Sequence, residues 1–269
     1  MSTLCREIVY IGAVMTQSIL YEPNIRAKIQ GLDHSIEQAI SGNGTTAPQT
    51  PRRDIEVLTP SLHPPKKGLS LRAGQARLLH DLANIELQAM ELGLRTLINF
   101  PHTEGAFKQQ LISIIQEEAK HLELCLNGIE KLGFQWGDWP IHTALWDCTS
   151  DEDSFLDRLL IVHCYLEGSG LDAGDSILNR LSGVHAPETE PVVTVIAEDE
   201  VSHVQFGTHW YKKTCEAYGH DPDEDFKWRM RKLIHVLPTR RERINKHLRQ
   251  QAGFTPAQIE SLRSMQSWF

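Results

Sequence analysis

Apolar positions recur every three to four residues through most of this chain, the pattern of helices that bury one face. From Ser70 a stripe runs through Leu78, Leu82, Ile85, Ala89, Leu94 and Leu97 and stops near Pro101, predicting a first long helix. A second stripe, Leu111, Ile114, Ile115, Leu122, Cys125, Ile129 and Leu132, closes at Gly133, a residue type that commonly ends helices. The intervening loop is short, so the two helices are expected to lie antiparallel. Phe134 to Thr149, with Trp136, Trp139, Pro140 and Trp146, breaks the period and reads as a crossover. A third helix is expected to start near Ser150 or Asp151 as N-cap and to carry Leu156, Leu160, His163, Leu171, Ile177 and Leu181 on one face. A fourth follows Pro191, with Val192, Val195, Ile196, Val204, Gly207 and Trp210 inward.

The flanks differ in character. Residues 3–40 predict one or two helices, whereas Ser41 to Gly68 contains Pro48, Pro51, Pro60, Pro64 and Pro65, which exclude regular helix. This segment reads either as a lid bearing Arg52, Arg53 and His63 or as a plain linker. Beyond Gly219 a charged, helical tail is expected to run to Phe269. The expected division is an N-terminal helical segment and Pro-rich linker over 1–69, a four-helix unit over 70–220, and a basic helical extension over 221–269. Two helical hairpins joined by a longer connection form the ferritin-like arrangement, so the expected class is all-α: a ferritin-like four-helix bundle with N-terminal and C-terminal helical extensions.

Composition narrows the setting. A chain of 269 residues, 41% hydrophobic, is long enough for one large domain or a core domain with extensions. Its cysteines, Cys5, Cys125, Cys148, Cys164 and Cys215, form no CxxC pair, so neither a disulfide framework nor a zinc ribbon is expected, and a reducing, cytoplasmic setting follows. The short apolar run Ile8 to Met15 follows Arg6 and Glu7 without a basic n-region, and reads as a buried helix. No stretch approaches the roughly 18 apolar residues of a membrane span. Lys227 to Arg249 holds nine basic residues against the single acid Glu242, although the whole chain carries −8. That asymmetry fits an anionic partner such as nucleic acid, or a tail that neutralises an acidic body.

The candidate chemistry lies on the inward faces, where a carboxylate must be paired, protonated or bound to a metal. Glu118 and His121 share one face of the second helix, and Glu200 and His203 repeat the same three-residue spacing on the fourth, so each pair can grip one ion. Glu86 and Glu167 take core positions on the first and third helices. Glu86 precedes Glu118 by 32 residues and Glu167 precedes Glu200 by 33, as though one metal-binding hairpin occurred twice. With 21 Glu and 13 His in the chain, about one Glu-x-x-His is expected by composition, whereas two occur, both inward. Four carboxylates and two imidazoles suit a pair of iron ions, with Mn/Fe or Mn/Mn as alternatives, and leave positions open for dioxygen. Zinc favours four-coordinate sites with fewer oxygens, and calcium does not select histidine.

Neighbouring residues carry weaker expectations. Glu117 and Asp199 each precede a ligating glutamate and are placed to accept the second imidazole N–H from the opposite hairpin, or else are solvated charges. His163, four residues before Glu167, reads as a satisfied core histidine or a cavity residue, and His80, six before Glu86, as a structural or supporting residue or else a functional one. Glu91 falls off the stripe and reads as a surface charge. Gly168, Gly170 and Gly174 crowd the helix around Glu167 against helix propensity, which calls for space beside the ligand, close packing or a local bulge.

Between Pro51 and about Asp221 the chain resembles a bacterial family of uncharacterised ferritin-like proteins, a domain of unknown function. The segments Pro51-Arg52-Arg53, Leu79-His80-Asp81-Leu82-Ala83-Asn84-Ile85-Glu86, Glu117-Glu118-Ala119-Lys120-His121, Leu166-Glu167-Gly168-Ser169-Gly170-Leu171-Asp172 and Asp199-Glu200-Val201-Ser202-His203 carry the resemblance. Ala252-Gly253-Phe254-Thr255 adds to it. This chain departs from that family at Asn84, where a further histidine is common. The resemblance implies the ferritin-like fold and the metal site, and supplies no substrate. The leading expectation is a diiron oxidase or hydroxylase that uses dioxygen on a small organic substrate, served by an electron donor protein, as a monomer or small homo-oligomer. The alternatives are a tRNA-modifying diiron hydroxylase, a ferroxidase or iron-handling protein, and a non-catalytic metal-binding module.

Overall fold

Helix accounts for every regular element of the structure, a computed structural model that describes residues 18–42, 46–239 and 242–266. Cys5, the apolar run Ile8 to Met15, and Arg240 and Arg241 of the basic segment lie outside the described residues. Two short helices, α1 (Ile25–Gln30) and α2 (Leu32–Ser41), precede the long pair α3 (Arg72–Asn99) and α4 (Gly105–Lys131). The third rod is composite: α5 (Phe155–Arg158) runs through a π-helical segment, Leu159–Leu166, into α6 (Glu167–Leu181). The fourth is α7 (Glu190–Ala217), followed by α8 (Pro222–Leu233), α9 (Lys246–Gln251) and α10 (Pro256–Gln266). An isolated parallel bridge, Val57 to Ile141, is the one β feature among the described residues.

The helices form where the apolar stripes ran. α4 ends at Gly133, with φ +85°, where Phe134 N–H donates to the Ile129 carbonyl and Gly133 N–H to that of Glu130. α3 packs on α4, α6 on α7, and α4 on α7. The third rod starts later than expected. Its N-cap is Ser154, in a reciprocal capping box with Asp157, because Asp151 is engaged by Arg95 at 3.0 Å and the Ser150 carbonyl accepts from Arg158 at 2.9 Å. On α7, Val195 is 40% exposed while Val193 and Ile196 are buried. One residue is a 100° turn around a helix, which carries Val195 off the inward face.

The Pro-rich segment is neither lid nor loose linker. It is pinned to the crossover, with Leu58 N–H donating to the Ile141 carbonyl and Ile141 N–H to that of Glu56, while Trp136 Nε1 donates to Asp54. Arg53 is committed to Glu91, the residue expected at the surface. Glu91 is fully buried, bound by Arg53 at 2.5 and 2.8 Å and by Lys28 at 2.7 Å. The segments before α3 pack over it and bury a face that the α3 stripe does not reveal. His80 also serves the crossover, stacking on Trp136 at 4.6 Å and accepting from Gly137 N–H at 3.2 Å. Burial lowers its pKa to about 4, so it is neutral.

The basic tail is fastened to the acidic body. Arg229, also paired within α8 to Asp225 at 2.6 Å, binds Asp157 at 2.8 Å, Lys232 binds Asp157 at 3.0 Å, and buried Arg249 binds Asp172 at 2.9 Å. One hydrophobic cluster includes Ile19 and Leu20, the long helices, and Phe254, Ile259 and Leu262, so the flanks share the central core. Removing one partner of a buried ion group leaves uncompensated charge. Glu91→Ala is therefore expected to destabilise the protein by about 3–5 kcal/mol in denaturant unfolding, against about 0.5 kcal/mol or less for a surface charge.

Candidate metal centre

The six residues of the predicted ligand set reach the centre from four helices. α3 supplies Glu86, α4 supplies Glu118 and His121, α6 opens with Glu167, and α7 supplies Glu200 and His203. All six are buried. They form two groups whose ligand atoms lie within 4.8 Å of one another, one of Glu86, Glu118 and His121 and the other of Glu118, Glu167, Glu200 and His203. Glu118 belongs to both, so its two oxygens stand where one carboxylate can serve two ions.

The histidines are oriented from outside the cluster. His121 Nε2 lies 3.0 Å from Asp199 on α7, and His203 Nε2 lies 2.9 Å from Glu117 on α4. These reciprocal contacts also show that α4 and α7 run antiparallel, since the partner numbers fall on α7 as they rise on α4. Holding Nε2 turns each Nδ1 inward. His121 Nδ1 sits 3.5 Å from Glu86 and 3.6 Å from Glu118, and His203 Nδ1 sits 2.9 Å from Glu118 and 3.7 Å from Glu200. His203 Nδ1 and Glu118 Oε1 are in ion-pair contact, yet both Nδ1 atoms and both Glu118 carboxylate oxygens lack a well-aligned hydrogen bond. Buried polar atoms are almost always satisfied, and four such atoms converging on one space fit a bound cation.

Electrostatics agrees with that fit. Burial, and then the Glu118 charge, raise the pKa of Glu86 well above the usual carboxylate range. Burial, Glu200 and Glu118 do the same for Glu167. Burial disfavours the charged forms of Glu118 and the two histidines, but their mutual attraction outweighs it. Glu118 is held below the usual range, His121 is pushed up to about 11, and His203 is raised further. Without a metal, protons on these groups are the available counter-charge.

The helix bearing Glu167 is shaped for this position. The π-helical segment ends at the residue before it, so a local bulge, one of the three readings of the glycine-rich stretch, is present. A Cβ on Gly170 would stand 2.9 Å from Glu200 Oε1, and one on Gly168 would stand 1.9 Å from the Arg249 guanidinium. Arg249 donates to the Cys164 carbonyl at 3.1 Å and so braces the π segment. Its role was not legible in the sequence; Gly168 and Asp172, both on α6, are the only traces of it. His163 is fully buried and edge-on to Phe206, with Nδ1 3.9 Å from Glu167 and no hydrogen-bond partner for either nitrogen. Burial lowers its pKa to about 3, and it is a neutral neighbour rather than a satisfied core histidine. Asn84 is buried and donates to the His142 carbonyl at 3.1 Å, which ties α3 to the crossover.

A cavity of about 450 Å³ opens on the carboxylate side of the cluster, reaching Glu86, Glu167 and Glu200. Its walls come from α3, the π segment, α6 and α7, with His142 and Leu145 of the crossover and Pro238, Thr239 and Glu242 of the segment after α8. Leu82, Ile85 and Ala89 lie on the inward stripe of α3 yet are only partly buried, because they face this space.

The family described as "Protein of unknown function (DUF455)" matches residues 21–260. The chain belongs to the DUF455 family. A Haemophilus influenzae relative described as "Uncharacterized protein" is 29% identical over 204 residues, covering 73% of this chain and 70% of its own. No solved structure matches. The DUF455 match spans all six clustered residues and both residues that orient the histidines.

Metal loading of this centre should expel protons from His121 and His203, together with those retained by Glu86 and Glu167. Raising the pH removes the same protons in advance, so metal affinity should rise with pH. Adding divalent metal to weakly buffered protein at neutral pH should release roughly two to four protons per chain, read with a pH dye.

Proposed function

We propose that this chain is a ferritin-like four-helix bundle, built from α3, α4, the α5–α6 rod and α7, that holds two iron ions and uses dioxygen to oxidise a small organic molecule. The observation that carries the reading is the pair of histidines whose Nε2 atoms are held by Asp199 and Glu117 while both Nδ1 atoms and both Glu118 oxygens are buried without a well-aligned hydrogen bond. Glu86, Glu118 and His121 would hold one ion, and Glu167, Glu200 and His203 the other, with Glu118 between them.

Mixed oxygen and nitrogen donors favour iron, with manganese in one or both positions as the nearest alternative. Bound ferrous iron supplies the electrons that reduce dioxygen, and turnover then calls for an electron donor, for which a partner protein is the natural source. The protein's own groups have distinct tasks. Asp199 and Glu117 fix the imidazole tautomers, Arg249 braces the π segment that presents Glu167, and the cavity walls exclude water from the carboxylate side. The adjoining cavity supports oxidation of a substrate over iron storage or a purely structural site. Pairing of Arg229, Lys232 and Arg249 with acids of the same chain leaves less of the tail for nucleic acid.

Protein purified from cells supplied with iron and manganese should carry about two metal ions per chain. Glu118→Ala should lose most of that metal while retaining its helical circular dichroism, and the anaerobic ferrous protein should consume dioxygen on mixing. Absence of bound metal in the folded protein contradicts the reading. Glu117→Ala and Asp199→Ala should each lower metal affinity by about 10–100-fold without changing the number of ions at saturation.

A further inference from the structure

Neither ring nitrogen of His163 has a hydrogen-bond partner, although the residue is buried and a neutral imidazole carries one N–H donor and one acceptor. Such groups are rare in protein interiors, because desolvation without a replacement hydrogen bond is costly. The surrounding fold nevertheless fixes the ring. A Cβ on Gly207 of α7 would stand 2.5 Å from His163 Cβ and 2.6 Å from its carbonyl oxygen, so a glycine at that position lets the π segment close against α7. Phe206 meets the imidazole at 5.0 Å with the ring planes 85° apart, and is itself stacked on Phe107 at 5.2 Å. An apolar side chain would fill the same space without leaving two nitrogens unpaired.

The direction in which the ring points narrows its task. His163 Nδ1 stands 3.9 Å from Glu167 Oε1, about 1 Å beyond a normal hydrogen bond. His163 belongs to neither ligand group. It also lies off the cavity, whose wall takes Val162, Leu166 and Glu167 from this rod but not His163. The imidazole therefore stands behind a ligand, on the side away from the cavity. A carboxylate that binds an ion through one oxygen leaves the other in need of a donor, and ligating carboxylates are held in this way by neighbouring groups. Asp199 and Glu117 hold the two histidines of the cluster, and His163 is placed to hold Glu167.

We infer that His163 is a positioning residue of the metal centre: it carries its proton on Nδ1 and, when Glu167 is bound to an ion, donates it to the Glu167 oxygen that faces away from that ion. Nε2 keeps the lone pair. The inference rests on the dimetal reading for the ion and on the unpartnered ring for the donor. Burial keeps the imidazole neutral, its pKa lowered to about 3, so the bond adds no charge to the cluster. Two opposite effects follow from one side chain. The unpaired imidazole weakens the metal-free fold, and the same imidazole strengthens metal binding.

Thermal unfolding of the metal-free full-length protein, followed by circular dichroism, and titration with manganese(II), followed by the electron paramagnetic resonance of the free ion, separate the two effects. His163→Phe keeps a ring of similar shape and should leave the Tm of the metal-free protein unchanged or raised. In the same variant one of the two ions should bind about 10-fold or more weakly, with the number bound at saturation unchanged. His163→Asn, whose side-chain amide stands near the Nδ1 position, should restore most of that affinity. His163→Leu repeats the apolar substitution if the Phe variant does not fold. Parent-like affinity for both ions in a folded apolar variant overturns the positioning role, and so does an affinity loss that His163→Asn does not recover. A folded parent protein that binds neither manganese(II) nor, anaerobically, iron(II) overturns the dimetal reading itself, an outcome the variants do not affect.

Discussion

Four carboxylates and two imidazoles packed out of water at the centre of the long helices are the constraint on which this structure depends. Buried charge of one sign is among the most unfavourable arrangements a protein interior can hold unless something of opposite sign shares the space. Glu118 concentrates the problem, because it faces both histidines, both of its oxygens lack a well-aligned hydrogen bond, and it belongs to both ligand groups. The surroundings act to fix these groups in place rather than to relieve them: Asp199 and Glu117 reach across from the opposite hairpin and hold each ring from its outer edge.

The rest of the fold can be understood as bracing around that cluster. The π-helical segment and the glycines of α6 depart from regular helix at the point where Glu167 must face Glu200 and where Arg249 must pass beneath. Such departures reduce local stability, and the C-terminal helices supply compensating contacts through Arg249 and its partner Asp172. On the other side, the segments before α3 close over Glu91 with Lys28 and Arg53, and the crossover is held by His80, Asn84 and Gln88. The flanking segments thus contribute to the same core as the helices that carry the ligands.

Much of this was legible in the sequence because helix period and ligand chemistry reinforce each other. A Glu-x-x-His on an apolar stripe, found twice with an upstream glutamate at matching distance, specifies residue, face and partner together. The cross-hairpin placement of Asp199 and Glu117 followed from their position one residue before the ligand glutamates. What was not legible depends on packing between distant segments. Glu91 lies off the α3 stripe, and only the folding of Lys28 and Arg53 over that helix makes its position interior. Val195 and the N-cap at Ser154 illustrate the limit of local signals, since Ser150 and Asp151 are equally good caps until Arg95 and Arg158 engage that segment. Arg249 is more remote still, a surface-type residue drawn into the core from 82 positions beyond Glu167.

The most direct test is anomalous diffraction at the iron absorption edge from crystals of iron-loaded protein. Two peaks, one beside His121 Nδ1 and one beside His203 Nδ1 with Glu118 between them, are the predicted result. A single peak, or iron bound elsewhere with these atoms left unligated, would contradict the account.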